Sequence, residues 1–484
     1  MAGRPFSREF IRPPAPRPPA RRETPTTFPN LVLHNTRRHK GNTAVSESFS
    51  AVELIQQKRD GQELTTDEIN WLIESYVADA IPDYQMAALL MAVCWRGMTD
   101  DETVALTLAM ARSGSQLRLA QRFERVADKH STGGVGDKLT LIVAPIVAAC
   151  GLPVAKMSGR GLGFTGGTID KLESIPGLRT DLSAAELVAQ VERHGLALAS
   201  QSRELAPADG KLYALRDVTA TVQSIPLIAA SVMSKKLAVD PTDLLLDIKV
   251  GRGAFMKTLD DARALGRLMV RIGRKAHIRT TAVLTAMDQP LGHAVGNLLE
   301  VEEAVSALRG QGPADVISLS HHEAALLLKS AGLVKTIAEG RQRAQAAIQS
   351  GAALAKFQEV IAAQGGDLPD AEEWSSPLAH TTRTLLAPRD GWIAGWDAAE
   401  VGAIAVALGA GRARKEDQIA PEVGLLFHEK AGSRVKQGQP LADIHARSET
   451  DAEKAARRLL AACSWSDHSV SPPTLFLGEI SETE

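Results

Sequence analysis

Two glycine-rich segments carry the side chains whose types and spacing suit anion binding. Residues 128–138 read DKHSTGGVGDK and residues 158–170 read SGRGLGFTGGTID. Each segment follows a short apolar run and leads into a helical pattern, and its glycines let backbone N–H groups approach a ligand closely. Lys129, Ser131 and Thr140 add an ammonium and two hydroxyls. Because ligands bind at the carboxyl ends of parallel strands, the two segments together predict one oxyanion site.

The first segment differs from the loop of ordinary nucleoside-triphosphate enzymes. It lacks the GxxxxGK[ST] spacing in which a lysine and a hydroxyl follow the glycines. An ordinary nucleoside-triphosphate loop is therefore disfavoured.

A third group of polar residues lies within residues 213–236. Ser231 and Lys235 are four residues apart, so on a helix their hydroxyl and ammonium project from one face and can address one planar ligand. Arg216 adds a rigid fork of N–H donors. Taken alone, these residues also fit a solvated basic helix, and the pattern leaves that alternative open.

The three motifs together resemble the family of thymidine and pyrimidine nucleoside phosphorylases. KHSTGGVGDK, SGRGLGxTGGTxDKLES and YALRDVTATV occur in that order, and the similarity extends from about Phe49 to the C-terminus. The resemblance implies reversible attack of phosphate on C1′ of a pyrimidine nucleoside, which gives a sugar 1-phosphate and the free base. Negative charge develops on the departing base, so cations near it stabilise the transition state more than the ground state.

The resemblance also implies a role for individual residues. Phosphate is held by Lys129, Ser131, Thr140, Ser158 and Thr168. The pyrimidine is held by His130, Arg216, Ser231 and Lys235, with Leu162, Tyr213, Ile228 and Phe255 beside the base. The last four are also ordinary core candidates. The expected catalytic residues are Arg216, Lys235 and a protonatable His130.

Lys156 bears on the choice of sugar. The broader pyrimidine nucleoside phosphorylases resemble this chain in having AKMSGRG, where the lysine lies near the sugar and can donate to hydroxyls. The resemblance therefore implies that ribonucleosides are accepted as well as deoxyribonucleosides. A solvated lysine at the end of a strand is the alternative.

Two positions depart from the family pattern. Phe164 stands where the second loop usually carries histidine, and a phenyl ring cannot make that polar contact. Lys138 stands where potassium-dependent relatives tend to have a hydroxyl. The monovalent cation site implied by those relatives involves Gly136, Leu291, Ala294 and Glu303. An ammonium at Lys138 can replace the metal, so no cofactor is required and potassium binding stays open.

Other functions remain compatible with this architecture. The first is another transferase, either an anthranilate-type phosphoribosyltransferase or a nucleotide phosphorylase. The second is a non-catalytic binding homologue that has lost turnover through Phe164. The intact KHSTGG segment and the set Arg216, Ser231 and Lys235 favour a pyrimidine base.

The elements that position these residues indicate an α/β fold with a small all-helical domain and a C-terminal β-rich α+β subdomain. Capping boxes at Thr65-x-x-Glu68 and Thr99-x-x-Glu102 predict a helical domain over residues 49–115, and Ser183-x-x-Glu186 predicts the start of a later helix. The resemblance implies that about 208–238 completes the helical domain. Short apolar runs alternating with helices predict a parallel α/β phosphate-binding domain over 120–386, and glycine turns predict the subdomain over 387–484. Residues 1–48, rich in proline and arginine, are predicted to be a disordered extension.

Composition excludes several classes of partner. Lys plus Arg total 55 against 57 Asp plus Glu, so no basic excess draws the chain to nucleic acid. Cys94, Cys150 and Cys463 lack CxxC spacing and predict neither disulfides nor a zinc site, which suits a reducing cytoplasm. The apolar run 139–150 contains Pro145 and is too short to cross a membrane. The resemblance further implies a homodimer that pairs through helical segments.

Overall fold

The computed structural model describes residues 49–161, 163, 166–201, 204–368, 379–412 and 417–481. The predicted disordered extension over 1–48 lies outside the described residues, as do Leu162 and Phe164 of the second glycine-rich segment. Six helices, α1 to α4 with α8 and α9, build the helical domain; their bounds are Ala51–Arg59, Thr66–Val77, Asp83–Arg96, Asp100–Arg112, Pro207–Val218 and Ile225–Val239.

The helical domain is closed by two helices that come late in the chain. The capping boxes predicted at Thr65 and Thr99 are both present at the starts of α2 and α4. The apolar core of α1 to α4 also includes Leu212 of α8 and Leu227 of α9. The chain therefore leaves the helical domain after α4 and returns to it with α8 and α9.

A six-stranded sheet forms the large domain, in the order β13-β5-β4-β1-β2-β3. Strands β1 to β5 pair in parallel and β13 pairs antiparallel with β5 at the edge. All eight residues of β4 are buried, as expected for a central parallel strand with helices on both faces. The strand bounds are β1 Ala127–Ser131, β2 Val154–Ser158, β3 Leu196–Ser200, β4 Asp243–Val250, β5 Arg279–Ala286 and β13 Phe476–Ile480.

Eight helices cover this sheet and complete the main apolar core. The capping box predicted at Ser183 starts α7. The bounds are α5 Leu139–Ala149, α6 Thr168–Leu172, α7 Ala184–His194, α10 Leu259–Lys275, α11 Asn297–Leu308, α12 Ala314–Ser330, α13 Ile337–Gln349 and α14 Ala352–Ala363.

Two small antiparallel sheets make up the C-terminal subdomain, with strand orders β10-β8-β12 and β6-β9-β11-β7. Its remaining elements are two helices and a π-helical turn at Val406–Ala410. The bounds are β6 Ala294–Val295, β7 Thr381–Leu386, β8 Gly391–Trp396, α15 Ala398–Ala405, β9 Gly424–Phe427, β10 Arg434–Val435, β11 Pro440–Ala446, α16 Glu449–Ala462 and β12 Cys463–Ser466.

The α/β class with a helical domain and a β-rich C-terminal subdomain is as the sequence predicts. The chain crosses between these parts more than the pattern indicates. Strand β6 pairs with β9 of the subdomain, and the last strand, β13, belongs to the large sheet although it lies within residues 387–484. In the described part of the chain, no helix combines the length and apolarity that a membrane crossing needs.

Candidate active site

The two glycine-rich segments meet at one edge of the large sheet. Strands β1 and β2 are neighbours and end at Ser131 and Ser158. The segments are joined directly, because Lys171 of α6 donates to the carbonyl oxygen of Asp137 at 2.7 Å. The predicted convergence of the two loops at the carboxyl ends of parallel strands is therefore found in the structure.

Four of the predicted phosphate ligands lie around this edge. Ser131 ends β1, Thr140 is in the first turn of α5, Ser158 ends β2 and Thr168 begins α6. The Ser158 hydroxyl is buried and has no hydrogen-bond partner among the described residues. A buried hydroxyl without a partner costs free energy unless a ligand or water completes it.

Ser131 is held by its own loop. Its hydroxyl donates to Asp137 Oδ2 at 2.5 Å and accepts from the Gly133 amide at 3.2 Å. Binding of an anion by Ser131 thus requires its hydroxyl to turn away from the Asp137 carboxylate. Lysines 249, 129 and 171 hold the pKa of Asp137 well below its usual range, against the effect of burial.

Lys129, the fifth predicted phosphate ligand, lies behind this edge. Its ammonium is buried between Asp247 at 3.5 Å and Glu323 of α12 at 3.3 Å. Burial alone lowers its pKa, but the carboxylates of Glu323, Asp137 and Asp247 together raise it. Lys129 is therefore a permanent cation beneath Ser131, and in this structure its ammonium contacts carboxylates.

Glu323 is a buried acid that the sequence pattern does not single out. Burial raises its pKa above the ordinary value, with Lys129 opposing that effect. It lies in the amphipathic helix α12, and no local motif marks it. Only the packing of α12 against β1 and β4 brings it under the glycine-rich loop.

The opposite face of β1 carries a second charged cluster. Asp128 is fully buried, 2.8 Å from Lys236 of α9 and 3.8 Å from Lys156 of β2. Lys156 is only 3% exposed, so it is not a solvated lysine at a strand end. Burial and the Lys236 ammonium hold the pKa of Lys156 well below its ordinary value.

His130 lies on this second face. Burial and then the ammonium groups of Lys236, Lys156, Lys235 and Lys129 hold the pKa of His130 well below its ordinary value. This lowered pKa favours the neutral ring in this structure, and the catalytic role of a protonatable His130 stays a prediction. A neutral ring still offers one N–H donor.

The predicted pairing of Ser231 and Lys235 on one helix face is present in α9. Lys235 Nζ donates to Ser231 Oγ at 3.3 Å and to Asp209 Oδ2 at 2.5 Å. Asp209 is in the first turn of α8, and its other oxygen, Oδ1, has no hydrogen-bond partner among the described residues. Sequence reasoning missed Asp209 because only the packing of α8 against α9 brings it to Lys235.

Arg216 has a different environment from the one predicted. Its guanidinium donates to the backbone carbonyls of Thr221 at 3.1 Å and Val222 at 2.7 Å, in the turn between α8 and α9, and to that of Leu227 at 3.0 Å, in the first turn of α9. An arginine has five N–H donors, so two remain for another acceptor. Arg216 thus fixes the turn that leads into α9 and is 3% exposed.

The apolar residues expected beside the base occupy intermediate positions. Tyr213 of α8 is half-buried, and burial raises the pKa of its hydroxyl. Ile228 and Phe255 are partly buried and pack against the core between α9, α10 and β4. They therefore border an apolar core, as expected if they are ordinary core residues, but part of each side chain is also exposed.

Lys138 occupies the centre of the predicted cation site. Its buried Nζ donates to the carbonyl oxygens of Leu291 at 3.1 Å and Ala294 at 2.8 Å, and it pairs with Glu303. These oxygens belong to three of the residues that the resemblance assigned to potassium. The ammonium therefore takes the ligands that a monovalent cation would use.

Comparisons with known proteins assign this architecture to a class of transferases. The family model described as glycosyl transferase family, helical bundle domain, matches residues 52–114, and its a/b domain matches residues 124–354. An anthranilate phosphoribosyltransferase from Thermus thermophilus superposes with a TM-score of 0.53 at 19% identity, covering 64% of this chain and 98% of that one. At that identity the likeness shows the fold alone.

Sequence relatives define the family more closely. The model for the pyrimidine nucleoside phosphorylase C-terminal domain matches residues 392–466. A pyrimidine-nucleoside phosphorylase from Geobacillus stearothermophilus is 46% identical over 89% of this chain and 99% of its own length. One from Staphylococcus aureus is 47% identical over 87% of this chain and 97% of its own. The chain belongs to the pyrimidine-nucleoside phosphorylase family.

Proposed function

We propose that this enzyme catalyses the reversible phosphorolysis of pyrimidine ribonucleosides and deoxyribonucleosides to the free base and the pentose 1-phosphate. Family membership supports the reaction class. The observation that carries the proposal is the arrangement of β1. On one side Ser131 and its loop meet the unpartnered Ser158 hydroxyl. On the other side His130 shares a face of β1 with Asp128, which pairs with Lys236 of α9, and the charge of Lys235 on the same helix acts on its pKa.

The phosphate half of the site is built from the two loops. Hydroxyls of Ser131, Thr140, Ser158 and Thr168 and the first amides of α5 donate to the phosphate oxygens, since helix N-termini favour anions. Lys129 adds positive charge from beneath. A bound phosphate oxygen then attacks C1′ of the sugar, and the bond from C1′ to the base nitrogen breaks with its electron pair going to the base.

The base half of the site stabilises that leaving group. Lys235 donates a charge-assisted hydrogen bond, and Ser231 and the neutral His130 ring donate beside it. Asp209 holds the Lys235 ammonium in place. Arg216 fixes the turn before α9 and directs its two remaining N–H groups to the base. These donors interact more strongly with the anionic base than with the neutral nucleoside, which lowers the barrier.

The sugar specificity follows from Lys156. The buried Lys156 side chain beside Asp128 can donate to a ribose hydroxyl. We propose that this site supports the 2′-hydroxyl of ribonucleosides.

Potassium is not needed in this proposal. Lys138 already supplies one positive charge to Glu303 and to the carbonyls of Leu291 and Ala294. A bound potassium ion would have to displace that ammonium from a buried position. We therefore propose that catalysis is independent of monovalent cations and requires no cofactor.

A homodimer is supported by an exposed stripe on α3. Tyr84, Met91 and Trp95 are 74%, 48% and 81% exposed, and their spacing of seven and four residues places them on one helix face. Val52 of the neighbouring α1 is also exposed. Exposed aromatic side chains in such a row are typical of an interface. We propose that a second copy of the chain covers this stripe. We also propose that the enzyme acts in the cytoplasm.

A substrate panel tests the proposed reaction. The purified chain is incubated with thymidine, uridine or deoxyuridine and inorganic phosphate, and base release is followed by ultraviolet absorbance. Release that requires phosphate supports phosphorolysis. The rival activities are tested with anthranilate plus phosphoribosyl diphosphate and with a pyrimidine nucleoside 5′-monophosphate plus phosphate. Turnover only with the substrates of a rival activity would replace phosphorolysis of nucleosides by that activity. No turnover with any substrate would favour a non-catalytic homologue.

A further inference from the structure

Residues 290–294 lie directly against the glycine-rich loop at 132–138. The Leu291 amide donates to the carbonyl oxygen of Val135 at 3.0 Å. Gly136, with φ of +73°, lies so close that a Cβ there would collide with the Leu291 carbonyl oxygen. The two segments therefore touch backbone to backbone, and a shift of residues 290–294 must move the loop.

The carbonyl oxygens of this segment are all engaged. Four of the five carbonyl oxygens accept hydrogen bonds from two lysines, and the fifth accepts one from the Phe427 amide at 2.9 Å. In chain order, Lys430 donates to Pro290 and Gly292, Lys138 donates to Leu291 and Ala294, and Phe427 donates to His293. The segment is thus held from two sides by two ammonium groups.

The two ammonium groups come from different parts of the fold. Lys138 belongs to the glycine-rich loop itself, whereas Lys430 follows β9 in the C-terminal subdomain. The Lys430 side chain is 15% exposed and lies 3.5 Å from Asp315, whose carboxylate also accepts from the Gly292 amide at 3.1 Å. Lys430 therefore connects the subdomain to the segment that supports the loop.

We infer that Lys430 is a positioning residue through which the C-terminal subdomain sets the shape of the phosphate loop. The inference rests on the proposed function, which makes the 132–138 loop a phosphate site. Lys430 touches neither β1 nor α9, where the base and sugar residues lie, in the described contacts. Its removal should weaken phosphate binding and leave nucleoside binding unchanged.

Lys430→Met removes the ammonium and keeps the length of the side chain. The KM for phosphate should rise about tenfold, since small misplacements of binding groups are costly. The KM for uridine should stay within about twofold of the wild type. Lys430→Arg restores a cation that can donate to both carbonyls and should recover most of the phosphate affinity.

Lys356→Met is the matched control. Lys356 also donates to a backbone carbonyl, that of His194 at 2.9 Å, and pairs with Glu359 at 2.6 Å, but it lies on α14. This variant should leave both KM values unchanged. Ser131→Ala reports on the phosphate site directly and should raise the phosphate KM.

Each outcome bears on a different claim. An inactive wild type would overturn the proposed function and this inference with it. An active wild type with a sensitive Ser131→Ala variant, but with an unchanged phosphate KM in folded Lys430→Met, overturns the role of Lys430 alone. An equal rise in both KM values also overturns it. If Lys430→Met does not fold, Asp315→Asn is measured in its place. That substitution weakens the contact between Lys430 and residue 315, and it should raise only the phosphate KM.

Discussion

Replacement of Lys138 by threonine should convert the enzyme from cation-independent to potassium-dependent. The ammonium is 1% exposed and binds two carbonyls and Glu303. Removing one partner of such a buried pair costs about 3–5 kcal/mol, because the remaining charge is left unpaired. The small hydroxyl leaves room for an ion among the same oxygen ligands. Hard cations such as potassium prefer oxygen ligands of this kind.

Potassium should recover much of that loss. A ligand that binds only the folded chain, at a free concentration a hundred times its dissociation constant, stabilises the folded chain by about 2.7 kcal/mol. Melting temperature and phosphorolysis rate are measured in potassium chloride and in tetramethylammonium chloride at equal ionic strength. The wild type should give the same values in both salts, and Lys138→Thr should be less stable and less active in tetramethylammonium only.

Lys138→Met serves as the control for this experiment. Its thioether fills the space without a charge, so it should be destabilised in both salts and show little recovery with potassium. A wild type whose activity depends on potassium would refute the reasoning. A Lys138→Thr variant that responds equally to both salts would refute it as well.

Four further variants test separate parts of the account. Lys156→Met should reduce phosphorolysis of uridine more than that of thymidine, by about 1–3 kcal/mol in kcat/KM, because it removes a polar contact to the ribose. Lys235→Ala should lower kcat more than about tenfold while the melting temperature changes little. Arg216→Ala should lower both kcat and the melting temperature, because the three carbonyl contacts of Arg216 also hold the turn before α9. Trp95→Glu should shift the chain from dimer to monomer in sedimentation velocity, because it places a charge in the exposed stripe of α3.

The results that contradict these predictions are specific. Equal losses on uridine and thymidine, or no uridine cleavage by the wild type, would make Lys156 a structural residue. Near wild-type turnover in folded Lys235→Ala would show that the base is not bound by α9. Leu386→Glu, at a residue 50% exposed outside α3, controls for the Trp95 variant. Dissociation by both changes, or by neither, would place the interface elsewhere.

Local patterns predicted much of the fold because they act over a few residues. The capping boxes at Thr65, Thr99 and Ser183 each start the expected helix, since the side chain and the N3 glutamate satisfy backbone donors. The spacing of Ser231 and Lys235 likewise predicted their contact. The alternation of strands and helices indicated the parallel sheet. None of these inferences requires knowledge of distant parts of the chain.

The features that were missed depend on long-range packing. Strand β13 pairs with β5, which lies far earlier in the chain, and nothing in residues 476–480 identifies its partner. Glu323 meets Lys129 only because α12 packs over β1 and β4. The lowered pKa of His130 follows from its burial and from lysines on β1, β2 and α9. Sequence spacing cannot give the local dielectric or the number of charges around a ring.

The most direct test of the central claim is a phosphorus-31 NMR spectrum of the wild-type chain with uridine and inorganic phosphate. The account predicts that the inorganic phosphate signal declines as a ribose 1-phosphate signal grows, with uracil released in equal amount. Adding uracil to isolated ribose 1-phosphate should run the reaction backwards. An unchanged phosphate signal while uracil is released would show hydrolysis, and that result would contradict the assignment of the glycine-rich loops as a site for the attacking phosphate.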